Sequence, residues 1–154
     1  MYIKIDNVME KGDVEIMHKL FAGKLNHVGD NIDIRVSPAS KCNIYELLGC
    51  FQKVNMFECH EGYFEEGRLI DTRINILGLH VRGQASRDQN NFAHTLPKME
   101  GLRVLRIYSQ AKPRWDQIDN SRFPDLEHLN YYHGSGLKQN SRIELPGFPL
   151  LKNV

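Results

Sequence analysis

The sequence has no apolar run approaching the roughly eighteen residues that a membrane-crossing helix requires, so no helical anchor is expected. Its beginning, Met1-Tyr2-Ile3-Lys4-Ile5-Asp6, puts Lys4 and Asp6 where a secretory leader would be continuously apolar, and the expected location is the cytoplasm. Cysteine is scarce. Cys42, Cys50 and Cys59 are an odd three in 154 residues, which suits free thiols in a reducing compartment. A zinc site would need a fourth ligand that the sequence does not make obvious. Neither sign of charge dominates: 20 Lys plus Arg against 19 Asp plus Glu leave a net +1, with no general pull toward nucleic acid or anionic lipid. Only 12 Gly and 6 Pro occur and 41% of residues are hydrophobic, which excludes collagen-like and disordered chains. What remains is one ordinary domain spanning 1–154, of a size that buries about 70% of its unfolded surface.

What the chain does have is a period. Short segments of the form apolar-x-x-apolar-x-apolar recur: Val54-x-x-Phe57-x-Cys59, Ile76-x-x-Leu79-x-Val81, Leu102-x-x-Leu105-x-Ile107 and Leu126-x-x-Leu129-x-Tyr131. Leu151-x-x-Val154 begins another copy, while Ile3-x-Ile5 and Ile32-x-Ile34 keep only the last two positions. The reference residues 3, 32, 57, 79, 105, 129 and 154 are 22 to 29 residues apart. One strand with its return segment cannot bury its own apolar face, whereas stacked copies build a continuous core. A strand alternates its side chains, so the closely spaced apolar pair points inward and the residues flanking it point outward.

The returns differ in kind. Residues Asp13 to Gly23 read as a helix, with Asp13 as N-cap, Val14, Met17 and Phe21 on one face, and Gly23 as the stop. Residues Ser40 to Lys53 read likewise, through Ile44, Leu47, Leu48 and Phe51. Asp88 to Leu96 allows a short helix, while Lys112 to Pro124 and Lys138 to Pro149 are broken by proline and polar residues and predict turns.

These segments resemble the leucine-rich repeat superfamily. The likeness is most specific where Leu96-Pro97-Lys98-Met99-Glu100-Gly101-Leu102, Phe123-Pro124-Asp125-Leu126 and Phe148-Pro149-Leu150-Leu151 lead into strands. It covers residues 54–154 through clearer repeats and residues 1–53 by spacing alone. The chain departs from the family's asparagine three residues past the last apolar position, having Gly62, Gln84, Gln110 and Gly134 there. The resemblance implies an α/β fold: a short solenoid with a parallel sheet of about six or seven strands, and helices or irregular turns on the other face.

In that frame the outward row comprises Asn31, Asp33 and Arg35; Met56, Glu58 and His60; Gly78, His80 and Arg82; Val104, Arg106 and Tyr108; and His128, Asn130 and Tyr132. A merely solvated sheet face would favour Thr, Lys and Glu. Tyr and Arg are instead the residue types enriched at binding hot spots. The expected partner-binding set is Glu58, His60, His80, Arg82, Arg106, Tyr108, His128, Asn130 and Tyr132. Charge runs along the row from Asp33 and Glu58 to Arg82 and Arg106, which would orient a partner.

Two other chemistries are weaker. Glu58, His60 and His80 on neighbouring strands allow an acid/base or metal-hydrolase group, without an evident third ligand or pocket. Cys59 points inward and His60 outward, so they cannot form a nucleophile pair. Gly134-Ser135-Gly136-Leu137-Lys138 lacks the spacing of a phosphate loop and reads as a turn. Trp115, the single tryptophan, is expected to anchor partly in the core. No cofactor, metal, nucleic acid or membrane is assigned. The expected function is non-enzymatic protein binding, in its specific form a cytoplasmic immunity protein that neutralises a toxin domain; an adaptor or scaffold is the alternative of the same class. A strand at residues 151–154 left open at the edge would favour a monomer or a weak dimer through that edge.

Overall fold

A computed structural model describes residues 1–6, 10–21, 32–38, 40–81, 96–109 and 120–133. Arg82, Asn31, Trp115, the loop from Gly134, the return at 88–95 and the expected strand at 151–154 lie outside the described residues.

The chain is α/β. In order run β1 (Tyr2–Ile5), α1 (Lys11–Phe21), β2 (Asp33–Val36), α2 (Ile44–Gly49), β3 (Lys53–His60), β4 (Arg73–Val81), β5 (Val104–Ser109) and β6 (His128–His133). All six strands pair in parallel, each with its neighbour in sequence, so the sheet order is the chain order. Short 3-10 turns occur at Glu61–Tyr63 and Asn120–Arg122.

The register stacks one inward column, Ile3, Ile34, Phe57, Leu77, Leu105 and Leu129, beside a second, Ile5, Val36, Cys59, Leu79, Ile107 and Tyr131. From Ile34 to Leu129 the first column is at most 1% exposed. Each such side chain contributes about 1.5–3 kcal/mol by leaving water. Val14 of α1 and Ile44, Leu47 and Leu48 of α2 close the same core from the inward face.

Two frames shift from their expected place. The repeat on β4 is Ile74-x-x-Leu77-x-Leu79 rather than Ile76-x-x-Leu79-x-Val81, and the reference residue on β2 is Ile34 rather than Ile32. A slip of two residues preserves which side chains face out, because the strand period is two, and moves them only along the strand.

The helices are corrected as well. α1 begins at Lys11, and Asp13 sits in its first turn, where Oδ2 accepts the Glu10 backbone N–H at 2.9 Å. Asp13 therefore caps by reaching back from the third position. Its expected stop, Gly23, lies outside the described residues. α2 spans six residues, not Ser40 to Lys53: Asn43 is the N-cap, its Oδ1 accepting from the Tyr45 and Glu46 backbone N–H groups. Ser40 instead donates its hydroxyl to the Ser37 carbonyl at 2.7 Å. Buried Thr72 donates its hydroxyl toward the Leu48 and Phe51 carbonyls, satisfying the C-terminal end of α2. Before β5 the chain turns at Gly101, whose φ of +82° suits glycine, and its N–H is held by Asp125 Oδ2 at 2.8 Å.

Candidate functional site

The outward side chains form three rows across the sheet. The first is Tyr2, Asp33, Met56, Ile76, Val104 and His128; the second Lys4, Arg35, Glu58, Gly78, Arg106 and Asn130; the third, on β3 to β6, His60, His80, Tyr108 and Tyr132. All the expected binding residues except Arg82 thus fall on the outward face of described strands. The corrected register aligns Glu58 with Gly78 and His60 with His80. Rather than projecting freely, these side chains lean on one another and are mostly half-buried.

Gly78 organises the middle row. A Cβ there would stand 2.9 Å from Glu58 Cγ, so the bare glycine backbone is what lets Glu58 lie over β4. From that position Glu58 Oε1 meets His80 Nε2 at 2.7 Å and Arg35 Nε at 3.1 Å, and its side chain is only 12% exposed. The acidic end expected of this row is therefore neutralised within the sheet. Asn55 and Asn75 extend the same economy along the rim: Asn75 Nδ2 donates to Asn55 Oδ1, and Asn55 Nδ2 donates to Asp33 Oδ1 at 2.8 Å. At the same level of the later strands, Arg103 Nε donates to Glu127 Oε1 at 2.8 Å.

His60 departs from its register neighbour. Its Nδ1 accepts the Gly62 N–H at 3.0 Å, capping the Glu61–Tyr63 turn, and its Nε2 lies 3.1 Å from Glu61 Oε2. The two histidines and Glu58 therefore do not converge on one point. Among the described residues, no group of three His, Cys, Asp or Glu could hold a metal ion. His80 touches the Glu58 carboxylate and the Tyr108 ring, and among the described residues no hydroxyl or thiol is hydrogen-bonded to it.

On β4 to β6 the outward chemistry changes. The His80 and Tyr108 rings stack with centroids 4.7 Å apart, and Tyr108 and Tyr132 with centroids 4.9 Å apart, each pair within 15° of parallel. Three parallel strands at ordinary sheet spacing bring equivalent rings to stacking distance. Burial, and next the Glu58 carboxylate, push the Tyr108 phenol above its ordinary pKa, against the pull of the Arg106 guanidinium. Tyr132 closes the stack and is 48% exposed. Arg106 reaches across β4, its Nη1 standing 3.8 Å from Met56 Sδ. Its Nε is buried without a hydrogen-bond partner, and among the described residues no carboxylate makes an ion pair with it.

The cysteines lie on the other side of this chemistry. Cys59 is buried in the inward column, and burial pushes its thiol well above its ordinary value. Burial, and then Glu46, push Cys42 up to about 11, while Cys50 is raised by burial. None of the three is set up as a nucleophile. A separate groove of about 350 Å³ between segments 69–73 and 98–100 contains none of the expected site residues. Among the described residues no helix is long and apolar enough to cross a membrane.

Sequence reasoning reached the outward row but missed the role of Gly78 and the pairing of Glu58 with Arg35. Both depend on cross-strand register, which spacing alone left two residues out on β2 and on β4. No protein-family profile, curated protein or solved structure matches the chain.

Proposed function

We propose that the chain is a non-enzymatic protein-binding domain: a short leucine-rich-repeat-like solenoid that presents the outward face of its parallel sheet to a protein partner. The solenoid reading is supported by an unbroken chain-order sheet whose apolar-x-x-apolar-x-apolar frames stack in columns from β3 to β6. The binding reading rests on one observation, the stack of His80, Tyr108 and Tyr132 beside Arg106 on an open sheet face. Ordered aromatic rings lose little conformational freedom on contact, and Tyr and Arg dominate interface hot spots.

Affinity capture of the tagged chain from its own cells, followed by titration of the captured protein, tests this. Replacing Tyr108 and Tyr132 together by alanine should weaken that binding by about 30-fold or more, the usual scale of a hot spot. Unchanged affinity removes the face from consideration. The partner's activity then separates the forms of the function: a toxin domain silenced by binding makes the chain an immunity protein, and an assembly component makes it an adaptor.

A second reading draws on the 2.7 Å contact of His80 with Glu58, the arrangement by which a carboxylate orients an imidazole base. It is weaker because the same carboxylate also holds Arg35 and no nucleophile adjoins the ring. Hydrolysis of an ester or phosphoester substrate abolished by His80→Ala would favour it over pure binding.

A further inference from the structure

The outward residues of β4 to β6 are Ile76, Gly78 and His80, Val104, Arg106 and Tyr108, and His128, Asn130 and Tyr132. None is a carboxylate. Glu58 of β3, beside Gly78 in the register, is turned toward His80 and Arg35 and is largely covered. Among the described residues Arg106 makes no ion pair; on a face otherwise aromatic and amide-bearing, its guanidinium donates to the Tyr108 hydroxyl and its Nη1 stands near the weak sulfur acceptor of Met56. Its Nε has left water without gaining an acceptor. A guanidinium in that condition gains more from an incoming carboxylate than an exposed one would, because the desolvation has already occurred.

We propose that Arg106 is the receiving site for a carboxylate of the protein partner, an Asp or Glu on an acidic segment whose neighbouring apolar or aromatic side chain rests against Tyr108 and Tyr132. This rests on the protein-binding reading above and narrows it to an acidic partner. Asn130, next to Arg106 in the register, places an amide beside the same site. Nucleic acid, the other common anion, finds less to stack on: Tyr108 has His80 on one side and Tyr132 on the other, which leaves the outer face of half-exposed Tyr132 for a base.

Peptides selected by phage display on the intact chain provide the probe. The expected result is a set enriched in Asp or Glu beside an apolar residue, whose binding weakens with salt and falls by about 30-fold or more in Arg106→Gln. Asn130→Asp supplies an internal carboxylate at the neighbouring position; it should preserve or raise the melting temperature while lowering peptide affinity, so lost binding cannot be attributed to unfolding. Changing the peptide's acidic residue to lysine should abolish binding to the wild type and restore it to Arg106→Glu.

Selected peptides without acidic residues, bound equally by the wild type and Arg106→Gln yet lost in Tyr108→Ala, would overturn the carboxylate site and leave the protein-binding reading standing. Peptides insensitive to both substitutions would overturn the binding face itself. Binding of an oligothymidylate by the wild type, lost in Arg106→Gln, would overturn the proposal in favour of a nucleic-acid ligand.

Discussion

On β2 and β3 the outward charged groups pair with one another, whereas Arg106 on β5 finds no carboxylate among the described residues. Arg35 and His80 hold Glu58, and Asn55 holds Asp33. Arg106, by contrast, pairs with no carboxylate among the described residues; it donates to the Tyr108 hydroxyl, its Nε has no acceptor, and Tyr108 and Tyr132 are stacked. A group satisfied inside the chain serves the fold and has little left to offer a partner. A group that is desolvated but unsatisfied costs stability in the free protein and is where a partner gains most. The difference between the halves separates residues satisfied within the chain from those proposed to bind more sharply than exposure does, because most of both sets are half-buried.

The hinge between the halves is Gly78, so replacing it should have the largest effect. Gly78→Val puts Cβ into Glu58, with Cγ at 2.9 Å and the Glu58 Cα at 3.6 Å, and cannot be relieved without displacing that side chain from His80. A loss of about 3 kcal/mol is expected, the upper part of the range for overpacking, measurable by urea denaturation. Glu58→Gln should cost less, about 1–2 kcal/mol, since Arg35 is partly exposed and its share of the pairing is screened. Thermal melts of Glu58→Gln and Arg35→Gln, singly and together, should show non-additivity if the two act as a pair.

Tyr108→Ala breaks both ring contacts and should lower stability by about 1 kcal/mol while reducing partner affinity about 30-fold. That contrast of a small structural and a large binding effect is the reverse of what Glu58→Gln should give. The smallest effect concerns the thiols. Burial holds all three in the protonated form, so the native protein should react with iodoacetamide at pH 8 far more slowly than the urea-unfolded chain. Raised folded-state thiol pKa values also mean that their stabilising contribution is complete below about pH 9 and is lost as pH climbs toward about 11, where Cys42 titrates. Rapid labelling at pH 8 would contradict the inward placement of Cys59.

Strand facing was legible in the sequence because it depends only on a period of two. The absolute frame was less so: β4 alternates apolar residues through Ile74, Ile76, Leu77, Leu79 and Val81, so two frames two residues apart look equally apolar until neighbours fix the register. For α2, Asn43 immediately before Ile44 was a better start signal than Ser40, and Thr72, distant in sequence, satisfies carbonyls at and just beyond its end. The chemistry of the face was not legible at all beyond residue type. Whether Glu58 is available to a partner is decided by a glycine 20 residues later and an arginine 23 residues earlier, brought to it by strand pairing.

If Arg106 is held for a partner rather than for the fold, Arg106→Met should separate binding from stability. Methionine follows the arginine side chain as far as the Nε position and removes the guanidinium, with its buried, unsatisfied Nε. Urea denaturation together with titration of the partner or a selected acidic peptide should show stability unchanged or raised by up to about 1 kcal/mol, with binding reduced by about 30-fold or more. A variant destabilised by about 2 kcal/mol or more that still binds with wild-type affinity would contradict the account.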